Sequence, residues 1–164
     1  MTVVLAATLA TPAAASVSGF SATAGQVTNG STVADKTDRA SAATTETYKN
    51  LATRLCLDSN KSKHAYTNPC SSRNKYQNWT VIRHGSTRLF RNVATRLCLD
   101  SNKSKHAYTN PCSSRNKYQN WTVIRHGSTR LFRNVATRLC LDSNKSKHVY
   151  TNPCTRNNKF QNWH

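Results

Sequence analysis

The 164-residue sequence predicts an all-β fold, a β-trefoil of three 42-residue repeats that follows a disordered N-terminal segment. Three observations support this prediction. A 42-residue unit occurs three times, each copy has the pattern of four short strands, and no window has a sustained helical period. Copies 50–91 and 92–133 differ only at Leu51 and Val93, and the third copy covers 134–164. Propellers with blades of this length need about four copies, whereas a closed threefold assembly hides its strand edges with three.

The middle repeat shows the four predicted strands in order: 88–91, 97–100, 107–109 and 118–124. The second alternates apolar and polar residues, which is typical of a half-buried strand. Pro111 ends the third, because proline cannot donate to a strand ladder. The segments between them are polar and rich in turn-forming residues.

The N-terminal part is predicted to lie outside the folded domain. Residues 3–10 are apolar and precede small residues, which indicates a secretion signal at 1–24, although no basic residue precedes the apolar run. A disordered Ala/Thr/Ser tail is the alternative. Residues 25–45 carry almost no large apolar side chain and are predicted to be a flexible linker. The trefoil domain is therefore expected at 46–164 in a secreted protein, with no membrane-spanning segment.

The formal net charge of +18 comes from the C-terminal part of the chain. Such a field attracts polyanions, including nucleic acid and acidic cell-wall polymers. Polyanion binding without sugar specificity is therefore an alternative function. It would use a recurring basic set: Lys61, Lys63, Arg73, Lys75, Arg83, Arg88, Arg91 and Arg96, with their copies.

Six cysteines fall into three pairs of identical C-x13-C spacing. Even, periodic cysteines in a small exported domain indicate a disulfide framework, and this spacing does not suit a zinc site. Enzyme chemistry has little support, because each repeat carries one acidic residue and no nucleophile or phosphate-loop motif occurs. We expect a non-enzymatic protein without a cofactor.

Three short segments of each repeat carry a family resemblance. The segments LCLD (55–58), YTNPC (66–70) and QNW (77–79) resemble the CLD…C…QxW pattern of ricin B-type lectins and of related actinobacterial carbohydrate-binding modules. The pattern returns in both other repeats, so the resemblance covers about 46–164. It implies a β-trefoil that binds glycans or polysaccharides, of galactose or xylan type, and we expect a monomer.

The resemblance assigns a role to four sets of residues. It implies that the tryptophans are buried in the core: Trp79, Trp121 and Trp163. It implies disulfides within each repeat: Cys56–Cys70, Cys98–Cys112 and Cys140–Cys154. It implies that the aspartates each accept hydrogen bonds from two sugar hydroxyls: Asp58, Asp100 and Asp142. It implies that the glutamines orient that carboxylate or touch the sugar: Gln77, Gln119 and Gln161.

The chain also departs from the galactose-binding pattern. The position two residues before the second cysteine usually carries a stacking aromatic, and here it is Asn68, Asn110 and Asn152. The tyrosines of the same strand could replace it, or could be ordinary strand aromatics: Tyr66, Tyr108 and Tyr150. The alternative for the aspartates is a structural pairing with Arg or Lys.

The histidines are predicted to have no functional role. His64, His106 and His148 recur at the same place in each repeat, which leaves a metal site on the threefold axis as an alternative. Hairpin-loop histidines usually face solvent, and no carboxylate lies near these in sequence. His84 and His126 are predicted to be exposed turn residues.

Overall fold

The computed structural model describes residues 43–164. The predicted signal segment, 1–24, and the predicted linker up to residue 42 lie outside the described residues. The first strand begins at Thr44, two residues before the position expected for the start of the domain.

The described chain contains eleven strands and three short 3-10 helices, and the all-β prediction is confirmed. The strands are β1 Thr44–Thr47, β2 Cys56–Ser59, β3 Ala65–Asn68, β4 Asn78–His84, β5 Thr87–Asn92, β6 Cys98–Ser101, β7 Ala107–Asn110, β8 Trp121–His126, β9 Thr129–Asn134, β10 Cys140–Ser143 and β11 Val149–Asn152. The 3-10 helices are Lys75–Gln77, Lys117–Gln119 and Lys159–Gln161.

The fourth strand of the middle repeat begins later than the sequence pattern predicted. Tyr118 and Gln119 lie in a 3-10 turn, and β8 starts at Trp121. The reason is local: the Asn116 side chain accepts the Tyr118 backbone N–H, and such a cap competes with strand formation.

Antiparallel pairing builds a barrel and a cap. Hairpins β4–β5 and β8–β9 form most of the barrel wall, and β1 pairs with β4. Trp163 takes the sixth strand position of the barrel, where it bridges both Asn50 and Arg130. Lys49 and His164 exchange backbone hydrogen bonds beside it, at 3.3 and 2.9 Å.

The three hairpins β2–β3, β6–β7 and β10–β11 close one end of this barrel. Their backbones form a ring of hydrogen bonds around the pseudo-threefold axis, because each hairpin donates to another. The bonds run from Thr67 N to Lys147 O (2.8 Å), from Thr109 N to Lys63 O (2.7 Å) and from Thr151 N to Lys105 O (2.8 Å).

An asparagine locks each joint between repeats. The side-chain amide of Asn92 donates to the carbonyl oxygen of Tyr76 at 2.6 Å, and Asn134 makes the same bond to Tyr118. Asn50 makes the equivalent bond to Phe160 at 2.7 Å. The joint between the third and the first repeat is therefore built like the two inner joints.

The core contains the three tryptophans, as the resemblance implied. Trp79, Trp121 and Trp163 are fully buried. Each indole N–H donates to a buried carbonyl of its own repeat, that of Leu57, Leu99 or Leu141. Satisfying this donor allows a large ring with a polar atom to occupy the interior without a desolvation penalty.

The three predicted disulfides are present, each within one repeat: Cys56–Cys70, Cys98–Cys112 and Cys140–Cys154. Every bridge joins residues 14 positions apart. A closed loop of this length contributes about 3 kcal/mol in the chain-entropy model. These bridges therefore offset the small apolar content of each repeat.

Candidate functional site

The three aspartates that the sequence singled out lie in equivalent places on β2, β6 and β10. Asp58, Asp100 and Asp142 are at most 2% exposed. None of them pairs with a cation, because the one ion pair in the described part of the chain joins Arg130 to Glu46. The structural alternative, in which these acids balance nearby Arg or Lys, therefore finds no support.

Neutral donors hold the Asp58 carboxylate instead. Its Oδ1 accepts the backbone N–H of Ser59 at 2.8 Å. Its Oδ2 accepts the side-chain amides of Asn74 and Gln77, both at 3.0 Å. A carboxylate offers about four acceptor positions, so one remains on Oδ1 for a ligand. Three bonds within the repeat already use this carboxylate, and the implied bonds to sugar hydroxyls stay a prediction.

Gln77 is itself fixed from both ends of its amide. Its Oε1 accepts the N–H of Ser71 at 2.9 Å, and its Nε2 also donates to the carbonyl of Pro69 at 2.9 Å. Because both its amide oxygen and its amide nitrogen are bonded, Gln77 holds Asp58 in one orientation. This is one of the two roles that the resemblance implied.

The second repeat reproduces this network, whereas the third adds one donor to it. Asn116 and Gln119 donate to Oδ2 of Asp100 at 3.3 and 3.1 Å. The corresponding oxygen of Asp142 accepts three amides, and its Oδ1 accepts the N–H of Ser143. The three amides are those of Asn152 (3.4 Å), Asn158 (3.2 Å) and Gln161 (3.0 Å). Oδ2 of Asp142 therefore carries one donor more than that of Asp58, whereas its Oδ1 accepts one bond, as Oδ1 of Asp58 does.

The asparagines of this network were not predicted from the sequence. Asn74, Asn116 and Asn158 each donate to the aspartate and cap the 3-10 helix that follows. The signal was present as an Asn-x-x-Gln spacing that recurs with the 42-residue period.

A pocket opens over each of the first two aspartates. Asp58 and Tyr66 are direct cross-strand partners, so their side chains lie side by side on one face of the hairpin. The pocket is about 160 Å³, and Tyr66, Asn68, Asn74 and Tyr76 are among its lining residues. The Tyr66 hydroxyl donates to the carbonyl of Ser59 at 3.4 Å.

Burial in this wall raises the pKa of Tyr66, and the charge of Asp58 and the proximity of Tyr76 raise it further. The phenol therefore stays protonated at neutral pH and can donate. The second repeat has the same arrangement in a pocket of about 390 Å³, lined by Asp100, Tyr108, Asn110 and Tyr118 among others. In the third repeat Phe160 replaces Tyr118, so one hydroxyl is missing.

The asparagines at the usual aromatic position contribute amides rather than rings. Asn68 and Asn110 line the first two pockets, and Asn152 bonds Asp142. The aromatic surface of each site is therefore that of Tyr66, Tyr108 or Tyr150, all half-buried.

Each site also borders a neighbouring repeat. Isolated bridges pair Tyr66 with His148, Tyr108 with His64 and Tyr150 with His106. The three histidines are thus distributed over three sites, and in the described residues no group of three metal-binding side chains is close enough to hold an ion.

One of the two turn histidines differs from the prediction that both are exposed. His126 is half-buried, and its Nδ1 lies 3.0 Å from Oδ1 of Asn162. His84, which is exposed, makes the same contact with Asn120 at 2.9 Å. In both cases the partner is the asparagine that follows the motif glutamine. Asn120 and Asn162 are buried and end the 3-10 helices of their repeats.

The sequence of residues 44–163 matches the family model described as the ricin-type beta-trefoil lectin domain. The chain belongs to this family. A comparison with curated proteins finds no match to this ricin-type trefoil.

Solved structures share its fold. The designed threefold symmetric protein ThreeFoil has a TM-score of 0.64 at 14% identity, covering 73% of this chain and 96% of that one. The cytolethal distending toxin of Haemophilus ducreyi gives 0.64 at 15%, over 73% and 81% of the two chains. SeviL bound to asialo-GM1 saccharide gives 0.61 at 10%, over 74% and 94%. At these identities the likeness concerns the fold alone.

The disulfides and the family are consistent with an extracellular protein. Among residues 43–164, no helix is long and apolar enough to cross a bilayer.

Proposed function

We propose that this ricin-type trefoil is a secreted, monomeric, non-catalytic carbohydrate-binding module whose main sites are the pockets over Asp58 and Asp100. One observation carries the proposal: a buried carboxylate, held by two side-chain amides, keeps one acceptor position beside a half-buried tyrosine ring. Sugars need such a combination, because a ring hydroxyl can donate to the carboxylate while the apolar face of the sugar packs on the aromatic ring.

The proposed contacts at the first site follow from its geometry. Oδ1 of Asp58 accepts one sugar hydroxyl, and Tyr66 provides the packing surface. Asn68 and the hydroxyl of Tyr76 lie on the pocket wall, where they can bond further hydroxyls. Since Asp58 is already oriented by Gln77 and Asn74, sugar binding does not have to fix it.

The third site is proposed to bind sugar more weakly. The amide of Asn152 is bonded to Asp142, whereas Asn68 and Asn110 have no such bond to their aspartates. Phe160 offers no hydroxyl where the other two pockets have Tyr76 and Tyr118. The three repeats, although similar in sequence, are therefore not equivalent as sites.

The test is calorimetric titration of the full chain with galactose and xylo-oligosaccharides. Asp58→Asn combined with Asp100→Asn should abolish binding, because the change removes the charge-assisted bond and keeps the side-chain shape. Asp142→Asn makes the same chemical change at the third site and is the matched control, which should retain most of the binding.

Salt distinguishes this proposal from diffuse polyanion binding. Binding of a neutral sugar should change little between about 50 and 300 mM NaCl, whereas binding through counterion release falls steeply. The proposal fails if a broad panel of neutral glycans shows no binding, or if the double variant binds as well as the parent.

A further inference from the structure

The barrel end opposite the hairpin cap carries four arginines. Register pairs Arg83 with Arg88 across β4–β5, and Arg125 with Arg130 across β8–β9. Along β4, Trp79 contacts the cap through Leu57, and Arg83 follows four residues later on the same face. At the rise of a strand this separation is about 13 Å, so the arginines lie at the far mouth of the barrel.

The mouth is a pocket of about 260 Å³ with an apolar floor. The rings of Tyr48, Phe90 and Phe132 meet there with centroids 4.8 to 5.3 Å apart. Val81 and Val123 also line the pocket, and so do the four arginines. Buried apolar side chains beneath such a site exclude water and strengthen the attraction between its cations and an anion.

The charges of the mouth are not balanced within residues 43–164. Like charges directly opposite one another on paired strands are unfavourable, and two such pairs occur here. Glu46, on β1, is the one acidic residue of the pocket, and it pairs with Arg130. Arg88 donates only to backbone carbonyls, those of Thr87 and Gly85.

We infer that the barrel mouth binds a phosphate or sulfate group, at a place separate from the sugar pockets. Guanidinium groups bind tetrahedral oxyanions through paired hydrogen bonds, and several of them can share the oxygens of one group. The two arginines of each hairpin reach the pocket from two sides. A phosphate ester polymer and a sulfated glycan carry the same chemistry, and the experiment separates these two sources.

The experiment is titration of the full chain with inorganic tripolyphosphate and with a sulfated tetrasaccharide, by calorimetry at about 50 mM NaCl. Arg83→Gln combined with Arg125→Gln should weaken binding at least about tenfold, since hydrogen bonds to charged groups are lost. Lys75→Gln combined with Lys117→Gln is the matched control. It removes the same charge from exposed residues outside the mouth and should change affinity less than about twofold.

A second variant acts in the opposite direction. Glu46→Gln frees Arg130 and removes the competing carboxylate, so affinity for the same probe should rise several-fold. Binding of one probe alone supports the inference and identifies phosphate or sulfate as the source. The inference is overturned if neither probe binds, if the lysine control loses as much affinity as the arginine variant, or if Glu46→Gln leaves affinity unchanged.

Discussion

Asn74 shows how much of a site one side chain can determine. Its Oδ1 caps the 3-10 helix by accepting the N–H of Tyr76 at 3.0 Å, and its Nδ2 donates to Asp58 at 3.0 Å. The two contacts use opposite ends of the amide, so no other side chain of this size satisfies both.

Replacing this amide by a carboxylate separates the two roles. Asn74→Asp keeps the cap and places a second negative charge against Asp58, which should destabilise the fold by about 1–3 kcal/mol near neutral pH. The shared site raises a carboxyl pKa in the folded variant, so the loss should shrink as the pH falls toward about 4. Denaturant unfolding at both pH values measures it.

Asn74→Ala is the control for that experiment. It loses both contacts without adding a charge, and its destabilisation should therefore depend on pH less than that of Asn74→Asp. Equal pH dependence in the Asp and Ala variants would contradict the proposed proximity of the two carboxylates.

A second residue-scale prediction concerns Tyr48, which stands where the other repeats have Phe90 and Phe132. Burial raises the pKa of Tyr48 well above 10, and the charge of Glu46 adds to this shift. The unfolded chain therefore loses the phenol proton first, so this contribution to stability is complete below about pH 10 and declines above it. Tyr48→Phe should flatten that decline.

Urea unfolding of both proteins at pH 8 and at about pH 10.5 tests this. At pH 8 the two free energies of unfolding should differ only by the loss of one hydroxyl. If the free energy of unfolding falls equally at high pH in the parent and in Tyr48→Phe, other tyrosines control this fall.

At the scale of the element, the turns on either side of β2, β6 and β10 contain lysines and arginines with positive φ angles. Lys63, Lys105 and Lys147 have φ near +67 to +69°, and Arg54, Arg96 and Arg138 have φ of 62 to 64°. Residues with a Cβ rarely adopt this conformation, which costs about 1–2 kcal/mol. The cap accounts for the lysines, because their carbonyls accept the bonds that join the hairpins.

Glycine at one of these lysines should relieve the strain. Lys63→Gly should leave the free energy of unfolding unchanged or raise it by up to about 1 kcal/mol. The relief of strain in the folded chain is partly offset, because glycine gives the unfolded chain more entropy. Lys61→Gly, two residues earlier and not in this conformation, should be destabilising by about 0.5–1 kcal/mol. Thermal unfolding of both variants measures the difference, and equal effects would contradict the explanation by strain.

The elements themselves were largely predictable from the sequence. The alternation of apolar and polar residues and the prolines located the strands. The tryptophans are buried and the cysteines are paired as the resemblance implied, because burial and covalent pairing recur with the period of the repeat. The late start of β8 was not predicted, because a single asparagine cap decides it. The left-handed lysines follow from tertiary hydrogen bonds that no local pattern contains.

For the molecule as a whole, the number of usable sites determines how it would hold a polymer. Asp58 and Asp100 belong to one rigid body, so a polymeric glycan can engage both pockets, and the second contact is intramolecular. Asp100→Asn should lower the apparent affinity for an immobilised polysaccharide by at least about a hundredfold. For a monosaccharide it should halve the stoichiometry and leave the affinity unchanged.

Asp142→Asn again provides the comparison, because its pocket is proposed to contribute little. Surface binding measurements on the polymer should place this variant near the parent. If both single variants lose the same affinity, the three repeats act as equals, and neither the Asn152 bond nor Phe160 weakens the third site.

The site was less predictable than the fold. The sequence indicated Asp58, Tyr66 and Gln77, but it could not count the remaining acceptor positions on the carboxylate, because that number depends on distances between side chains. Asn152 illustrates this: it occupies the same position as Asn68 and Asn110, yet only in the third repeat does its amide bond the aspartate within 3.4 Å.

The asparagine locks have a consequence for the order of the chain. Asn50 closes the ring onto Phe160 with the bond that Asn92 makes to Tyr76, and Lys49 and His164 are bonded neighbours. The three joints between repeats share the same asparagine bond, so the fold does not require the chain to begin at one particular joint. A circularly permuted gene that opens the polypeptide in the turn at 85–86, and joins His164 to Thr44 through a short spacer, should therefore encode the same barrel with all three asparagine bonds retained.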